Sequence, residues 1–102
     1  MTMEAVISDD GETVTTFDLD EADVLASTRR HDGSDWDNRW VRLLRTAKGS
    51  YITEHDSLWQ NESTFYRLAS PDEAARFLAR WRRPDDPEVP ADLRPLLEAL
   101  EI

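Results

Sequence analysis

Apolar and polar residues alternate through the middle third of the chain, from "RWVRLLR" to "FYRLAS", as they do in half-buried β-strands. The sequence "TAKG" interrupts this alternation and suits a three-residue turn in which Gly49 has the left-handed conformation. That turn sets Leu44 opposite Ile52. It also sets Arg42 opposite Glu54, whereas a two-residue turn would set an apolar residue against the glutamate. The pattern therefore predicts an antiparallel hairpin with the first of these registers.

A second interruption, the polar sequence "QNES", separates this hairpin from a third strand. A loop of that length places Leu58 opposite Phe65 and Asp56 opposite Arg67, so that like residues and opposite charges face each other. The middle of the chain is therefore predicted to form a three-stranded antiparallel meander, with residues 51–59 as its central strand.

Before the meander, "EAVISDDGETVTTF" has the pattern of a second hairpin. Asp10 and Gly11 suit a two-residue turn, which would bring Ile7 opposite Val14. The following "DLDE" offers Asp18 as a helix cap, so we expect one short helical turn and then an extended segment.

After the meander, "SPDEAARFLARW" has the start signals of a helix: Ser70 as cap, Pro71 at the first helical position and Glu73 completing a capping box. The residues at helical spacing, which should form its buried stripe, are Ala74, Phe77, Leu78 and Trp81. A proline-rich linker over residues 84–91 leads to a second, shorter stripe formed by Leu93, Leu96, Leu97 and Leu100.

These elements predict a single small α+β domain over residues 1–102. It would comprise an N-terminal β-hairpin, a three-stranded antiparallel meander, one amphipathic helix packed on the sheet, and a short C-terminal helix. The composition agrees, because 39% of the residues are hydrophobic and 33% are charged. The chain has no cysteine, which removes disulfides and cysteine-ligated zinc. No apolar run is long enough to span a bilayer and the N-terminus does not resemble a signal peptide, so we expect a cytoplasmic protein without membrane contact.

The predicted register divides the meander into two faces. The helix should cover the more continuous apolar face, which carries Val41, Leu43, Tyr51, His55, Trp59, Tyr66 and Leu68. The opposite face mixes apolar and charged residues as protein interfaces do, and two further tryptophans stand beside it. The partner-binding residues predicted in this way are Trp36, Trp40, Arg42, Glu54, Asp56, Leu58, Phe65 and Arg67. The alternative is that the C-terminal leucine stripe folds back and covers this face.

Candidates for catalysis have simpler structural interpretations. His55 and Asp56 are adjacent in a strand and point to opposite faces, so they cannot act as a base and its orienting acid. Glu54 shares a face with Asp56, but the predicted cross-strand arginines would hold both carboxylates ionised as an ion-pair ladder. The loop "HDGSDWD" lacks the spacing of a calcium site. We therefore expect no enzyme, no metal and no cofactor.

A second candidate function is nucleic-acid binding by a small regulator, through a ridge of Arg76, Arg80 and Arg83 on the outer side of the helix together with exposed aromatic residues. The formal net charge of −10 repels phosphate, which makes another protein the favoured partner and nucleic acid the less favoured one.

The segment "LLRTAKGSYITEHDSLWQNESTFYRLASPDEAARFL" resembles a group of small uncharacterised bacterial, plasmid and phage proteins. Their pattern is L-x-R-T-x-x-G-x-W-x-L, then S-x-W-Q-G, an aromatic residue and a helix with E-A-A. The matching positions are Arg45, Thr46, Gly49, Ser57, Trp59, Gln60, Tyr66 and Glu73 to Ala75. Tyr51 and Asn61 depart from the pattern, as does Arg30 in the upstream "TRRHDG", where that group has T-R-W-D-G. The resemblance implies no activity, but occurrence on mobile elements implies a regulatory or anti-defence protein, of which an acidic DNA mimic is one kind.

Overall fold

The computed structural model of the chain describes residues 1–8, 10–28, 39–57 and 63–101. Its architecture is α+β, as predicted. The strands are β1 (Met3–Ile7), β2 (Thr13–Asp18), β3 (Asp23–Ser27), β4 (Arg39–Arg45), β5 (Tyr51–Ser57) and β6 (Phe65–Ala69). The helices are α1 (Pro71–Trp81) and α2 (Arg94–Leu100). A 3₁₀ turn, Leu19–Glu21, is capped by the Asp18 side chain, which confirms the predicted helical turn and extended segment after it.

The strands form one six-stranded mixed sheet in the order β2-β1-β6-β5-β4-β3. The predicted hairpin and meander are therefore parts of the same sheet rather than separate units. They are joined by a parallel pairing of β1 with β6, in which Val6 lies opposite Tyr66. The extended segment after the 3₁₀ turn becomes β3, which pairs antiparallel with β4.

The sheet must curl, because its two edge strands are joined by a very short connection. In a flat sheet β2 and β3 would lie about 24 Å apart, at about 4.8 Å per strand. The four residues between them span at most about 18 Å. Leu19 and Ala22 of this connection pack on an apolar cluster of one sheet face, which we call the concave face. Its buried members are Val6, Phe17, Leu44, Ile52 and Tyr66.

The opposite side of the sheet, which we call the helix face, packs against both helices. Leu43, Tyr51 and Ala69 of this face are buried together with Ala74 and Leu78 of α1. Leu93, Leu96 and Leu97 pack into the same cluster, so the C-terminal leucines cover the helix face and not the opposite one. The alternative in which they fold over the predicted binding face is therefore wrong.

Helix α1 begins as its sequence predicts. The Ser70 hydroxyl accepts the backbone N–H of Glu73 and the Glu73 carboxylate accepts that of Ser70, which is the predicted capping box. Within the predicted stripe Ala74 and Leu78 are buried, whereas Phe77 and Trp81 are half-buried. The amphipathic pattern thus identifies the correct helix, but the two aromatic residues lie at the border of the core.

The β4–β5 turn confirms the predicted geometry. Gly49 has a φ of 89° and donates its N–H to the Thr46 carbonyl at 2.9 Å. The resulting register places Leu44 opposite Ile52 and Arg42 opposite Glu54, as predicted.

The N-terminal hairpin uses the same kind of turn, one residue longer than predicted. The Gly11 N–H donates to the Ser8 carbonyl, and the Ser8 N–H donates to the Glu12 carbonyl. Gly11 has a positive φ of 87°, as expected, but Ile7 lies opposite Thr13 rather than Val14. The two-residue prediction is wrong because the left-handed glycine follows the turn instead of forming its centre.

We expect Gly11→Val to destabilise the protein by about 1–2 kcal/mol, the cost of the left-handed conformation for a residue with a Cβ atom. A Cβ at Gly11 would meet no heavy atom within 4 Å, so the cost is one of backbone conformation and not of a steric clash. The melting temperature should fall by about 5 °C or more. Gly11→Asn should lose less, because asparagine tolerates this conformation. Equal melting temperatures for all three proteins would contradict the turn geometry.

The β5–β6 register differs from the predicted one by three residues. Phe65 lies opposite His55 instead of Leu58, and Arg67 lies opposite Thr53 instead of Asp56. A shift by an odd number of residues moves every side chain of β6 to the other face of the sheet. Phe65 and Arg67 therefore lie on the helix face, and Tyr66 and Leu68 lie on the concave face.

Candidate functional site

A buried carboxylate lies at the centre of the concave face. Glu54 is 3% exposed, and its Oε1 accepts a hydrogen bond from Arg42 Nε at 2.6 Å. The two residues face each other across β4 and β5, so the turn at Gly49 sets the geometry of the pair. This confirms one half of the predicted ion-pair ladder.

Asp56 and Tyr66 extend this pair into a polar cluster. The Thr64 hydroxyl donates to Asp56 Oδ1 at 2.5 Å, and the Trp40 indole also donates to this carboxylate. Tyr66 lies opposite Glu54 in the pairing of β5 with β6, and the two side chains share the concave face. Asp56 therefore has partners other than the predicted Arg67, which lies on the opposite face, and the second half of the ladder is wrong.

The cluster separates the pKa values of its two carboxyl groups. Burial raises the pKa of Glu54 and the hydrogen bond with Asp56 raises it further, against the influence of Arg42. Burial would also raise the pKa of Asp56, but hydrogen bonds from Glu54 and Thr64 and the charge of Arg42 lower it. Burial and the Glu54 charge raise the pKa of Tyr66 to about 12. Glu54 is therefore the carboxyl group of the cluster whose pKa is raised, and Asp56 is the one whose pKa is lowered.

On the helix face, three side chains at the far end from the helices form a stack. The rings of His55 and Phe65 lie parallel, with 4.6 Å between their centroids, and the Arg67 guanidinium lies 5.7 Å from the Phe65 ring. Phe65 is 40% exposed. We call these three residues the Phe65 stack.

His55 is half-buried, and its Nε2 shares a hydrogen bond with the Thr53 hydroxyl at 2.9 Å. His55 is therefore a hydrogen-bonded, partly buried residue on the same face as Val41, as the alternation predicts. The residues predicted to share its face are only partly correct, because the register shift exchanges Tyr66 and Leu68 for Phe65 and Arg67.

We expect the imidazole of His55 to titrate below 6.5, its ordinary value. Burial lowers the pKa and the charge of Arg67 lowers it further, while Asp56 opposes them. Because the folded pKa is depressed, His55 should destabilise the fold progressively as the pH falls below 6.5. An NMR titration of the ring protons, assigned with a His55→Gln variant, measures the midpoint. A midpoint at or above 6.5 would contradict this environment.

Only two of the three residues of the predicted arginine ridge lie on helix α1. Arg76 and Arg80 are exposed on α1, and the Arg80 guanidinium lies 5.1 Å from the Trp81 ring. Arg83 lies beyond the end of the helix, is half-buried, and donates its backbone N–H to Asp86. The structure therefore presents two of the three arginines together on the outer side of the helix.

The predicted partner-binding residues do not lie on one face of the sheet. Trp40, Arg42, Glu54 and Asp56 lie together on the concave face within the polar cluster, whereas Phe65 and Arg67 lie on the other face. Trp36, Leu58 and Trp59 lie outside the described residues, as does the acidic loop "HDGSDWD". The single interface predicted from the register is thus split between two faces.

A cavity of about 490 Å³, which sequence reasoning missed, lies between β2 and the β4–β5 turn. Ile52, Leu68 and Phe17 give it an apolar floor, and Lys48 lies on its turn side. Leu68 is 45% exposed there. The sequence feature that could indicate this cavity is Leu68, an apolar residue of a strand. It points to the cavity only once the register of β6 places it on the concave face.

Within residues 1–8, 10–28, 39–57 and 63–101, no group of three or more histidine, aspartate or glutamate residues is placed so as to hold a metal ion. No helix among the described residues has both the length and the apolar character needed to cross a membrane.

Comparisons with protein-family models, with the sequences of curated proteins and with solved structures each return no match to this chain.

Proposed function

We propose that this protein is a non-catalytic protein-binding module and that the Phe65 stack is its contact surface. The observation that carries the proposal is that Phe65 is 40% exposed although its ring stacks on His55 and lies 5.7 Å from the Arg67 guanidinium. Ordering an exposed aromatic ring adds little to the stability of the fold itself. A ring that is already ordered, however, loses less conformational entropy when a partner covers it.

The residue types of the stack also suit an interface. Aromatic residues and arginine are enriched at the centres of protein interfaces, where they contribute most of the binding energy. The helices cover the Leu43, Tyr51 and Ala69 end of the same face, which leaves the stack beside a rigid support. The net charge of −10 favours a partner whose surrounding surface is basic.

We expect Phe65→Ala and Arg67→Glu to abolish the capture of a partner protein from the source cell, while circular dichroism and melting temperature change little. Wild type and each variant, immobilised at equal density, would be compared in the same pull-down, and partners identified by mass spectrometry. Leu100→Ala is the matched control, because Leu100 is 43% exposed and lies outside the stack. It should capture the partner as the wild type does.

Three results would contradict this proposal. Equal capture by wild type and Phe65→Ala would remove the stack from the interface. Unfolding of Phe65→Ala would show that the ring belongs to the core. Binding of labelled DNA or RNA that weakens steeply with salt and is lost in Arg76→Glu/Arg80→Glu would favour the nucleic-acid alternative instead.

A further inference from the structure

The cavity beside β2 borders a free sheet edge. β2 is the first strand of the sheet and, among the described strands, pairs with β1 alone. Four consecutive residues, Thr15 to Asp18, line the cavity. Because successive side chains of a strand point to opposite faces, a cavity lined by all four borders the edge of the strand and its backbone.

The hydrogen-bond pattern shows which backbone groups face the cavity. The Leu19 N–H donates to the Thr2 carbonyl, so this pair is a hydrogen-bonded pair of the ladder. Such pairs alternate along antiparallel strands, which makes Phe17 and Thr15 the next residues to bond inward to β1. Thr16 therefore directs its N–H and C=O groups away from β1, and Asp18 directs its N–H outward, while the Asp18 carbonyl belongs to the 3₁₀ turn that this residue caps. The Thr16 carbonyl accepts the Thr15 hydroxyl at 3.5 Å, a length at which the bond is weak.

The apolar floor of the cavity can accept the side chains of a bound peptide. Ile52 and Leu68 belong to β5 and β6 and lie opposite each other in the sheet, so their side chains share the concave face with Phe17. An extended peptide paired with β2 would direct every second side chain onto this apolar floor. The volume of about 490 Å³ lies within the range of ligand-binding pockets.

The charges favour one kind of occupant. Asp18 and Glu21 border the cavity on the side of β2 and the 3₁₀ turn, and Lys48 borders it on the other side. A second copy of the chain would bring another net charge of −10 to the same place, which disfavours self-pairing. A peptide with a basic residue near Asp18 and Glu21 is attracted both by these carboxylates and by the protein as a whole.

We propose that the groove along β2, bordered by Thr16, Leu68 and Lys48, binds an extended, basic segment of a partner protein by adding it as a seventh strand at the free edge. This site lies on the other side of the sheet from the Phe65 stack and does not depend on it. Backbone hydrogen bonds to the N–H and C=O of Thr16 and to the N–H of Asp18 hold the segment. Its alternate apolar side chains pack on Phe17, Ile52 and Leu68, which select it.

A random dodecapeptide library displayed on phage tests this proposal when it is panned on the full-length protein. The enriched peptides should alternate β-branched or other apolar residues with lysine or arginine. The affinity of one enriched, fluorescently labelled synthetic peptide is then measured by anisotropy. Thr16→Pro removes the outward N–H and should weaken binding at least tenfold, because proline is tolerated at such edge positions without loss of the inner ladder. Thr16→Val keeps the N–H and should bind as the wild type does.

A second variant and a control make every result decisive. Leu68→Lys changes the floor of the groove at an exposed position and should also weaken binding at least tenfold, so it decides the matter if Thr16→Pro does not fold. Phe65→Ala should bind the peptide unchanged, which separates this site from the proposed contact surface. No enrichment over panning on Leu68→Lys, or equal binding by wild type and Leu68→Lys, would overturn the proposal. Dimerisation of the wild type that Leu68→Lys abolishes would also overturn it, in favour of a second copy.

Discussion

Replacing Arg42 with methionine should lower the free energy of unfolding by about 3 kcal/mol at pH 7.5, because removal of this half-buried arginine leaves the buried charge of Glu54 uncompensated. Glu54 is 3% exposed and its carboxylate accepts the Arg42 Nε at 2.6 Å. Methionine replaces most of the aliphatic stem of the arginine, so the loss reports on the charge and its hydrogen bond more than on packing. Urea denaturation followed by tryptophan fluorescence measures the difference.

This loss should shrink when the same measurement is made at pH 5. Burial raises the pKa of Glu54 above its ordinary value of 4.5 while Arg42 opposes the rise, so removal of Arg42 raises the pKa further. A carboxyl group with a raised folded pKa is most favourable to the fold below its unfolded pKa, and that contribution is lost as the pH rises through the folded pKa. At pH 5 the variant therefore buries a protonated Glu54 at less cost than at pH 7.5.

The matched control replaces both partners. In Arg42→Met/Glu54→Leu no charge of the pair is buried, and such replacements of buried ion pairs are often neutral or stabilising. The double variant should therefore recover more than half of the loss at pH 7.5, and its stability should vary less between the two pH values. A loss under 1 kcal/mol for Arg42→Met at both pH values would mean that Glu54 is solvated in solution, contrary to the structure.

The two glycine turns show how far local sequence determines register. In both turns a glycine with positive φ donates its N–H to the carbonyl of a hydroxyl residue three positions earlier, Thr46 for Gly49 and Ser8 for Gly11. The first was predicted correctly because charge pairing across the strands discriminated between turn lengths. The second was assigned one residue short, because Asp10-Gly11 also satisfies the preference of a two-residue turn and the exposed residues of β2 gave no competing pattern.

The β5–β6 register could not be obtained in this way. Pairing Leu58 with Phe65 gives plausible neighbours, but so does the actual register, in which Phe65 stacks on His55 and Tyr66 lies opposite Glu54. What distinguishes the two is the pairing of β6 with β1, whose residues are about sixty positions away in the sequence. Alternation within one hairpin carries no information on such a long-range partner.

The candidate site could likewise be predicted only where it depends on a single local turn. The pairing of Arg42 with Glu54 follows from a single turn, and it is correct. The split of the predicted interface into a polar cluster and the Phe65 stack, and the groove beside β2, all require the six-stranded order of the sheet. Chemistry that depends on one local turn was therefore predictable, and surfaces that depend on how strands assemble were not.

The second large effect is expected for Leu93→Ala, which should lower the free energy of unfolding by about 3 kcal/mol. Leu93 is 0% exposed and belongs to the cluster of buried residues that the helix face shares with α1. It is the N-cap residue of α2. Its neighbour Asp92 accepts the Tyr51 hydroxyl at 2.8 Å and lies 3.8 Å from Arg45. Leu93 is therefore the apolar half of an anchor that holds the C-terminal segment on the helix face.

Leu100→Ala provides the comparison within the same segment, because Leu100 is 43% exposed and its truncation should cost less than about 0.5 kcal/mol. Tyr51→Phe removes only the hydrogen bond to Asp92 and should cost about 1 kcal/mol. If Leu93 and Tyr51 anchor the segment together, their combined substitution should cost less than the sum of the two single losses, since a segment already released cannot be released again. Similar losses for Leu93→Ala and Leu100→Ala would show instead that the C-terminal residues are not held by Leu93, and the helix face would then have to be covered in another way.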